Sequence, residues 1–144
     1  MMYRCLIANR GEIAVRIIRA CRELNIETVA IYAKGDENSL HVSLADQAIC
    51  IGEANPLDSY LNIDRIISAA KVTESNAIHP GYGFLSESTN FAKAVEDNHI
   101  HFIGPSKTTM EMMGDKITVR QTVKQAGVPV IPGSNDAVQS VDEI

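Results

Sequence analysis

Two hydrophobic periods alternate along the chain. Residues 3–8, Tyr-Arg-Cys-Leu-Ile-Ala, are a short apolar run that reads as a strand. Over 12–24 the apolar positions fall at Ile13, Ile17, Ala20, Cys21 and Leu24, the spacing of one helix face. The β-branched stretch 27–32 is a second strand, and Gly35-Asp36-Glu37-Asn38 is turn chemistry. A short helix over 40–45 and a third strand over 47–51 follow, then the loop Gly52-Glu53-Ala54-Asn55-Pro56. Ser59 is placed to cap a helix carrying Ile63, Ile66, Ile67 and Ala70 on one side. Residues 76–79 form a fourth strand closed by Pro80, 88–97 a helix with Phe91, Ala94 and Val95 inward, and 100–103 a fifth strand ended by Gly104-Pro105. Strands separated by helical patterns specify βαβ units and a parallel sheet. The expected fold class is α/β, a Rossmann-like doubly wound parallel sheet.

The pattern changes near the end. Residues 106–113 and 115–126 read as helices, the second holding Val119, Val123 and Ala126. A Pro- and Gly-rich stretch, 127–134, follows, and 135–144 reads as the start of another helix. The expected division is a domain over 1–113 and a connecting segment over 114–144 that opens a further region.

Composition narrows the class. Of 144 residues 45% are hydrophobic and 22% charged, the balance of a globular protein. The net charge of -5 argues against nucleic acid as a partner. No apolar run approaches the ~20 residues of a membrane span, so no membrane partner is expected. The opening residues read as a strand rather than a signal peptide. Cys5, Cys21 and Cys50 are widely spaced, without a CxxC pair. They are expected as reduced, buried thiols of a cytoplasmic protein.

In an open parallel sheet a ligand sits at the carboxyl ends of the strands. The richest loop there is His79-Pro80-Gly81-Tyr82-Gly83-Phe84-Leu85-Ser86-Glu87, whose glycines permit close backbone approach. A tight strand-to-helix turn is the competing reading of the same residues. Asn9-Arg10-Gly11-Glu12 stands where a dinucleotide fold carries GxGxxG, but it has one glycine, and Glu12 repels phosphate. A structural turn is expected there. Lys116, in the first turn of the last helix, opposes the helix dipole and so hints at an anion. His99 and His101, two apart on a strand-like segment, are read as a surface pair and not as half a metal site.

Six segments taken together carry a resemblance: Ala8-Asn9-Arg10-Gly11-Glu12-Ile13-Ala14, Ser39-Leu40-His41-Val42, Ser59-Tyr60-Leu61-Asn62-Ile63, the loop 79–87, Phe102-Ile103-Gly104-Pro105 and Met113-Gly114-Asp115-Lys116. In this order they resemble the N-terminal, pre-ATP-grasp domain of biotin carboxylase, the ATP-dependent component of acetyl-CoA carboxylase. The same domain opens pyruvate and propionyl-CoA carboxylases. The similarity runs from Tyr3 to Ser134. Gln47 replaces a usual acidic residue, and Ser88-Thr89 an Asn-containing helix start.

The resemblance implies an enzyme that carboxylates biotin using MgATP and bicarbonate, with ATP, Mg²⁺ and biotin as cofactors of the full-length form. It places Lys116 in the nucleotide site and His79, Tyr82 and Gly83 in the loop beside biotin. It implies biotin carboxyl carrier protein and carboxyltransferase subunits as partners. It also implies a homodimer whose interface includes Arg16, Arg19 and Glu23. The start at Met1 suggests a free-standing bacterial subunit. The resemblance assigns no catalytic residue and no metal ligand within these 144 residues. The expectation is therefore that the chain alone is inactive, with a non-catalytic dimerisation or scaffold module as the alternative.

Overall fold

The first apolar run becomes the central strand of a parallel sheet because its side chains are covered on both faces. β1 is Arg4–Ile7, and Cys5, Leu6 and Ile7 are fully buried. The structure, a computed structural model, describes residues 3–131 apart from Asp115, and leaves out the side chains of Lys116 and Ile117. The first of its two compact units ends at Pro105, the second begins at Ser106.

In the first unit, β1 is followed by α1 (Gly11–Glu23), β2 (Glu27–Ala33), α2 (Leu40–Leu44) and β3 (Gln47–Gly52). A single 3₁₀ turn at Pro56–Asp58 precedes α3 (Ile63–Val72), β4 (Ala77–His79), α4 (Thr89–Asp97) and β5 (His101–Phe102). The strand order is β3-β2-β1-β4-β5, and every pairing is parallel. Arg4 stands opposite Glu27 and Ile7 opposite His79, so β1 and β2 start level, β1 and β4 end level, and β2 runs on past β1 to Ala33. The doubly wound sheet expected from the sequence is therefore the fold. In the second unit α5 (Lys107–Gly114) is followed by α6 (Lys116–Gln125), where Val119 and Val123 are half-buried and Ala126 is exposed.

Three helices pass the chain to the next strand through the same turn. Asn25, Glu74 and His99 have φ of 56°, 54° and 58°, each just past a helix end. The next amide reaches back to the last helical turn: Ile26 N–H to Cys21 O at 2.9 Å, Ser75 N–H to Ala70 O at 2.8 Å, Ile100 N–H to Val95 O at 3.2 Å. His99 thus belongs to the end of α4, not to the strand of His101. Their alternation on one strand does not hold.

Other expectations shift in detail. The buried side of α1 is Ala14, Val15, Ile17, Ile18 and Cys21, whereas Ala20 is exposed and Leu24 is 69% exposed. The stripe is rotated because α1 meets the sheet on one flank and α2 on the other. Ser59 does not cap α3. The 3₁₀ turn uses the residues before it, so α3 starts later and Asn62 accepts from Arg65 N–H at 3.1 Å. Ser59 is buried and donates to Asn55 O at 2.8 Å. In α4 the inward residues are Phe91, Ala92 and Val95, with Ala94 only half-buried.

Cys5 and Cys21 share a buried cluster with Ile7, Ala14, Ile17 and Ile18. The hydrogen bond to Cys21, with burial, pushes the Cys5 thiol far above its ordinary range. Cys50 differs from the expectation: it lies on edge strand β3 and is exposed.

Candidate functional site

The strand order reverses between β1 and β4, and there the chains leaving the two strands diverge. In this molecule a side chain bridges that crevice. Asn9, the second residue after β1, is fully buried. Its Nδ2 donates to Pro80 O at 2.8 Å and to Tyr82 O at 3.0 Å, and its Oδ1 accepts from Arg10 N–H at 2.9 Å. Each polar atom of the carboxamide has a partner, as burial demands. Asn9 therefore ties the start of the 79–87 loop to the end of β1.

Gly81 fits the same contact. Its φ is +66°, and a Cβ there would stand 2.7 Å from Asn9 Nδ2 and 2.7 Å from Ile13 Cγ2. Only a glycine lets the loop backbone settle on Asn9. His79, at the end of β4, accepts from Gly81 N–H through Nδ1 at 3.0 Å, and its carbonyl accepts from Ala8 N–H at 2.8 Å. The Nδ1 contact leaves the proton of the neutral ring on Nε2. Burial holds the imidazole pKa below the usual histidine value.

Beyond Gly81 the loop turns outward. The Tyr82 side chain is 64% exposed, and Gly83, φ +70°, has open space where a Cβ would be. A large aromatic face and a bare stretch of backbone therefore stand together at the loop tip, an arrangement suited to a flat, partly apolar ring. Between this loop and α1 lies a cavity of about 390 Å³ lined by Glu12, Ile13, Arg16, Ile17, His79, Gly81 and Tyr82.

The far side of the tip is packed. Phe84 stacks on Tyr60 with centroids 5.3 Å apart and planes at 14°. Tyr60 is fully buried; its hydroxyl donates to Asp36 Oδ2 at 2.6 Å and accepts from Ala33 N–H at 3.1 Å. Burial first, and the Asp36 hydrogen bond second, push the phenol well above its ordinary pKa.

The expected site residues fall into three groups. His79, Tyr82 and Gly83 are together on the loop. Arg16, Arg19 and Glu23 lie on the exposed side of α1, where with Ala20 they line a depression of about 330 Å³, and Arg16 also lines the cavity beside the loop. Among the described residues, none of these three forms an ion pair within the chain. Lys116 begins α6, and its side chain lies outside the described residues, as do Asp115 and the tail 135–144. Among the described residues no group of three His, Cys, Asp or Glu side chains is placed to hold a metal ion. Asn9 and Tyr60 were legible only as a turn residue and as part of a motif. Their partners lie far away in sequence, up to 73 residues for Asn9.

The family model for the biotin carboxylase N-terminal domain matches residues 1–110. Biotin carboxylase 1 of Bacillus subtilis is 55% identical over 143 residues, which cover 99% of this chain and 32% of that protein. The pyruvate carboxylase of the same organism is 50% identical over 142 residues, 98% of this chain and 12% of that protein. The biotin carboxylase domain dimer of Hydrogenobacter thermophilus 2-oxoglutarate carboxylase, solved with MgADP, ADP and bicarbonate, superposes with a TM-score of 0.87. It is 50% identical, with 99% of this chain and 31% of that one covered. This chain thus spans about a third of the biotin carboxylase it resembles. With its sheet order, its bridged switch point and this match over most of its length, the chain belongs to the biotin carboxylase N-terminal domain family.

Proposed function

We propose that the chain is the N-terminal part of a biotin carboxylase, which carboxylates biotin on a carrier protein with MgATP and bicarbonate. The observation that carries this reading is the loop tip: an exposed Tyr82 ring beside an open Gly83, anchored from below by Asn9. Tyr82 and Gly83 would flank the biotin ring, with His79 holding the loop base. Lys116 would meet the nucleotide phosphates. The exposed Tyr82 ring and the open Gly83 backbone support a loop that would take a flat ring such as biotin's. The described residues offer no ligand set for Mg²⁺, and none is assigned to them.

The chain supplies too few of these groups to catalyse phosphoryl transfer alone, since that step depends on positioning and charge neutralisation. The partners are the carboxyl carrier protein and carboxyltransferase subunits of a cytoplasmic acetyl-CoA carboxylase serving fatty acid synthesis. The exposed Arg16, Arg19 and Glu23, which form no ion pair among the described residues, would form a two-fold dimer contact. The Bacillus subtilis pyruvate carboxylase match supports a second reading, the same domain within a pyruvate or other carboxylase.

The test uses the full-length protein. Tyr82→Ala is expected to raise the KM for free biotin at least about tenfold, given the size of a lost aromatic contact in a ligand site. Bicarbonate-dependent ATP hydrolysis without biotin should persist. An unchanged biotin KM refutes the assignment of the loop. Biotin-dependent ADP release by the 144-residue chain alone, above a no-enzyme control, refutes its predicted inactivity.

A further inference from the structure

We infer that Arg10 is a positioning residue that orders the tip of the 79–87 loop, and with it Tyr82 and Gly83. The tip has little to hold itself. Gly83 touches nothing at its Cβ position, Tyr82 is mostly exposed, and the loop's own turn is closed by a single backbone bond, Ser86 N–H to Gly83 O at 2.9 Å. Asn9 grips the base through the Pro80 and Tyr82 carbonyls. Beyond Tyr82 the buried Leu85 anchors the far end of the tip, and between the two stands Phe84, at φ 43°, a backbone region unfavourable for a bulky side chain. Such a conformation persists only where the surroundings over-determine it.

Arg10 supplies that surrounding. Its guanidinium carbon lies 5.1 Å from the Tyr60 ring centroid and 5.6 Å from that of Phe84, within reach of both π faces. Asp36 holds it in place, Oδ2 standing 3.4 Å from Nη1. The same oxygen accepts the Tyr60 hydroxyl. Arg10 therefore connects the end of β1, the turn after β2, the segment before α3 and the loop tip in one cluster. Asn9 and Arg10, adjacent in sequence, hold the loop at two points, one by hydrogen bonds and one through an aromatic face. The planar guanidinium is needed for this: a lysine keeps the charge toward Asp36 but offers no flat face to two rings.

This inference rests on the proposed function only for what the tip meets; the ordering itself is read on the chain. Amide exchange is followed by mass spectrometry in wild type, Arg10→Met and Arg10→Lys. The expected result is about fivefold faster exchange over 82–86 in Arg10→Met, the factor carried by a cation–π contact at a half-exposed site. The peptides of β1, β2 and α3 should be unchanged, and lysine should restore protection only in part. Unchanged exchange over 82–86 overturns the inference. So does an equal acceleration everywhere, which makes Arg10 a general stabiliser. In the full-length protein, Arg10→Met should raise the biotin KM and leave biotin-independent ATP hydrolysis intact. If the loop loosens and the biotin KM does not move, Arg10 still orders the tip, and it is the placement of biotin against this loop that fails.

Discussion

Replacing Asn9 by alanine tests the bridge across the switch point most directly. The substitution removes both donor contacts, to Pro80 O at 2.8 Å and Tyr82 O at 3.0 Å, and the acceptor for Arg10 N–H at 2.9 Å. The Tyr82 and Arg10 groups lie on exposed residues where water substitutes, so each loss costs about 1 kcal/mol. Pro80 is buried, and its stranded carbonyl adds about 1–3 kcal/mol. The sum is about 3–5 kcal/mol, a large share of a stability that is typically about 5–15 kcal/mol. For a unit near 100 residues each kcal/mol moves Tm by roughly 4–8 °C, so a fall of at least about 12 °C is expected. Urea unfolding followed by far-UV circular dichroism gives the free energy, with the slope m checking that the compactness of neither state has changed. Asn9→Asp sharpens the test. It keeps an acceptor for Arg10 N–H but points a carboxylate at two carbonyl oxygens. It should be at least as destabilised as the alanine variant at neutral pH, and should recover part of the loss at acid pH, where the single O–H of a protonated carboxyl can donate to one of the two carbonyls. An alanine variant within about 0.5 kcal/mol of wild type, the range of an ordinary surface substitution, would refute the bridging role.

Gly81→Ala forces a Cβ to 2.7 Å from Asn9 Nδ2 and Ile13 Cγ2 at φ +66°, and should cost about 2–4 kcal/mol. Gly83→Ala, at φ +70° in open space, should cost only about 1–2 kcal/mol; equal losses in urea titrations would contradict the packing of Gly81 on Asn9. Burial lowers the pKa of His41 and His79 below 6.5, so the unfolded chain takes up protons first. Stability should be full above that pH and decline as pH falls toward the folded-state values, by up to about 1.4 kcal/mol per pH unit for each histidine. His41→Gln should flatten the decline, and an unaltered slope would show that His41 is not the group responsible. A thiol reagent should label Cys50 rapidly in the native protein, and Cys5 and Cys21 only on unfolding; fast labelling of two thiols would contradict the burial of that pair.

Strands and helices were legible in the sequence because their periods are local. A buried parallel strand is a continuous apolar run, and a helix repeats its apolar face every three or four residues. All five strands and their parallel pairing follow from that alternation, since parallel neighbours need helical crossovers, while the order β3-β2-β1-β4-β5 was seen only in the folded sheet. The loop 79–87 was legible for the same reason: it lies at the carboxyl end of a predicted strand and carries glycines, an imidazole and two aromatics. What each residue of the site does was decided by tertiary structure. The buried face of α1 turned toward Val15 and Ile18 because α2 packs on one flank. Asn62 replaced Ser59 as the cap because a 3₁₀ turn took up the preceding residues. His99 left its strand for a helix terminus, and Cys50 reached the surface because β3 is an edge. Asn9 and Arg10 show the division most clearly. Their own neighbourhood specifies only a turn into α1, and their chemistry appears when a loop more than 70 residues later is brought against them. A hydrogen bond or a ring contact acts over a few ångströms whatever the separation in sequence, and only the folded sheet, which sets the ends of β1 and β4 side by side, supplies that proximity.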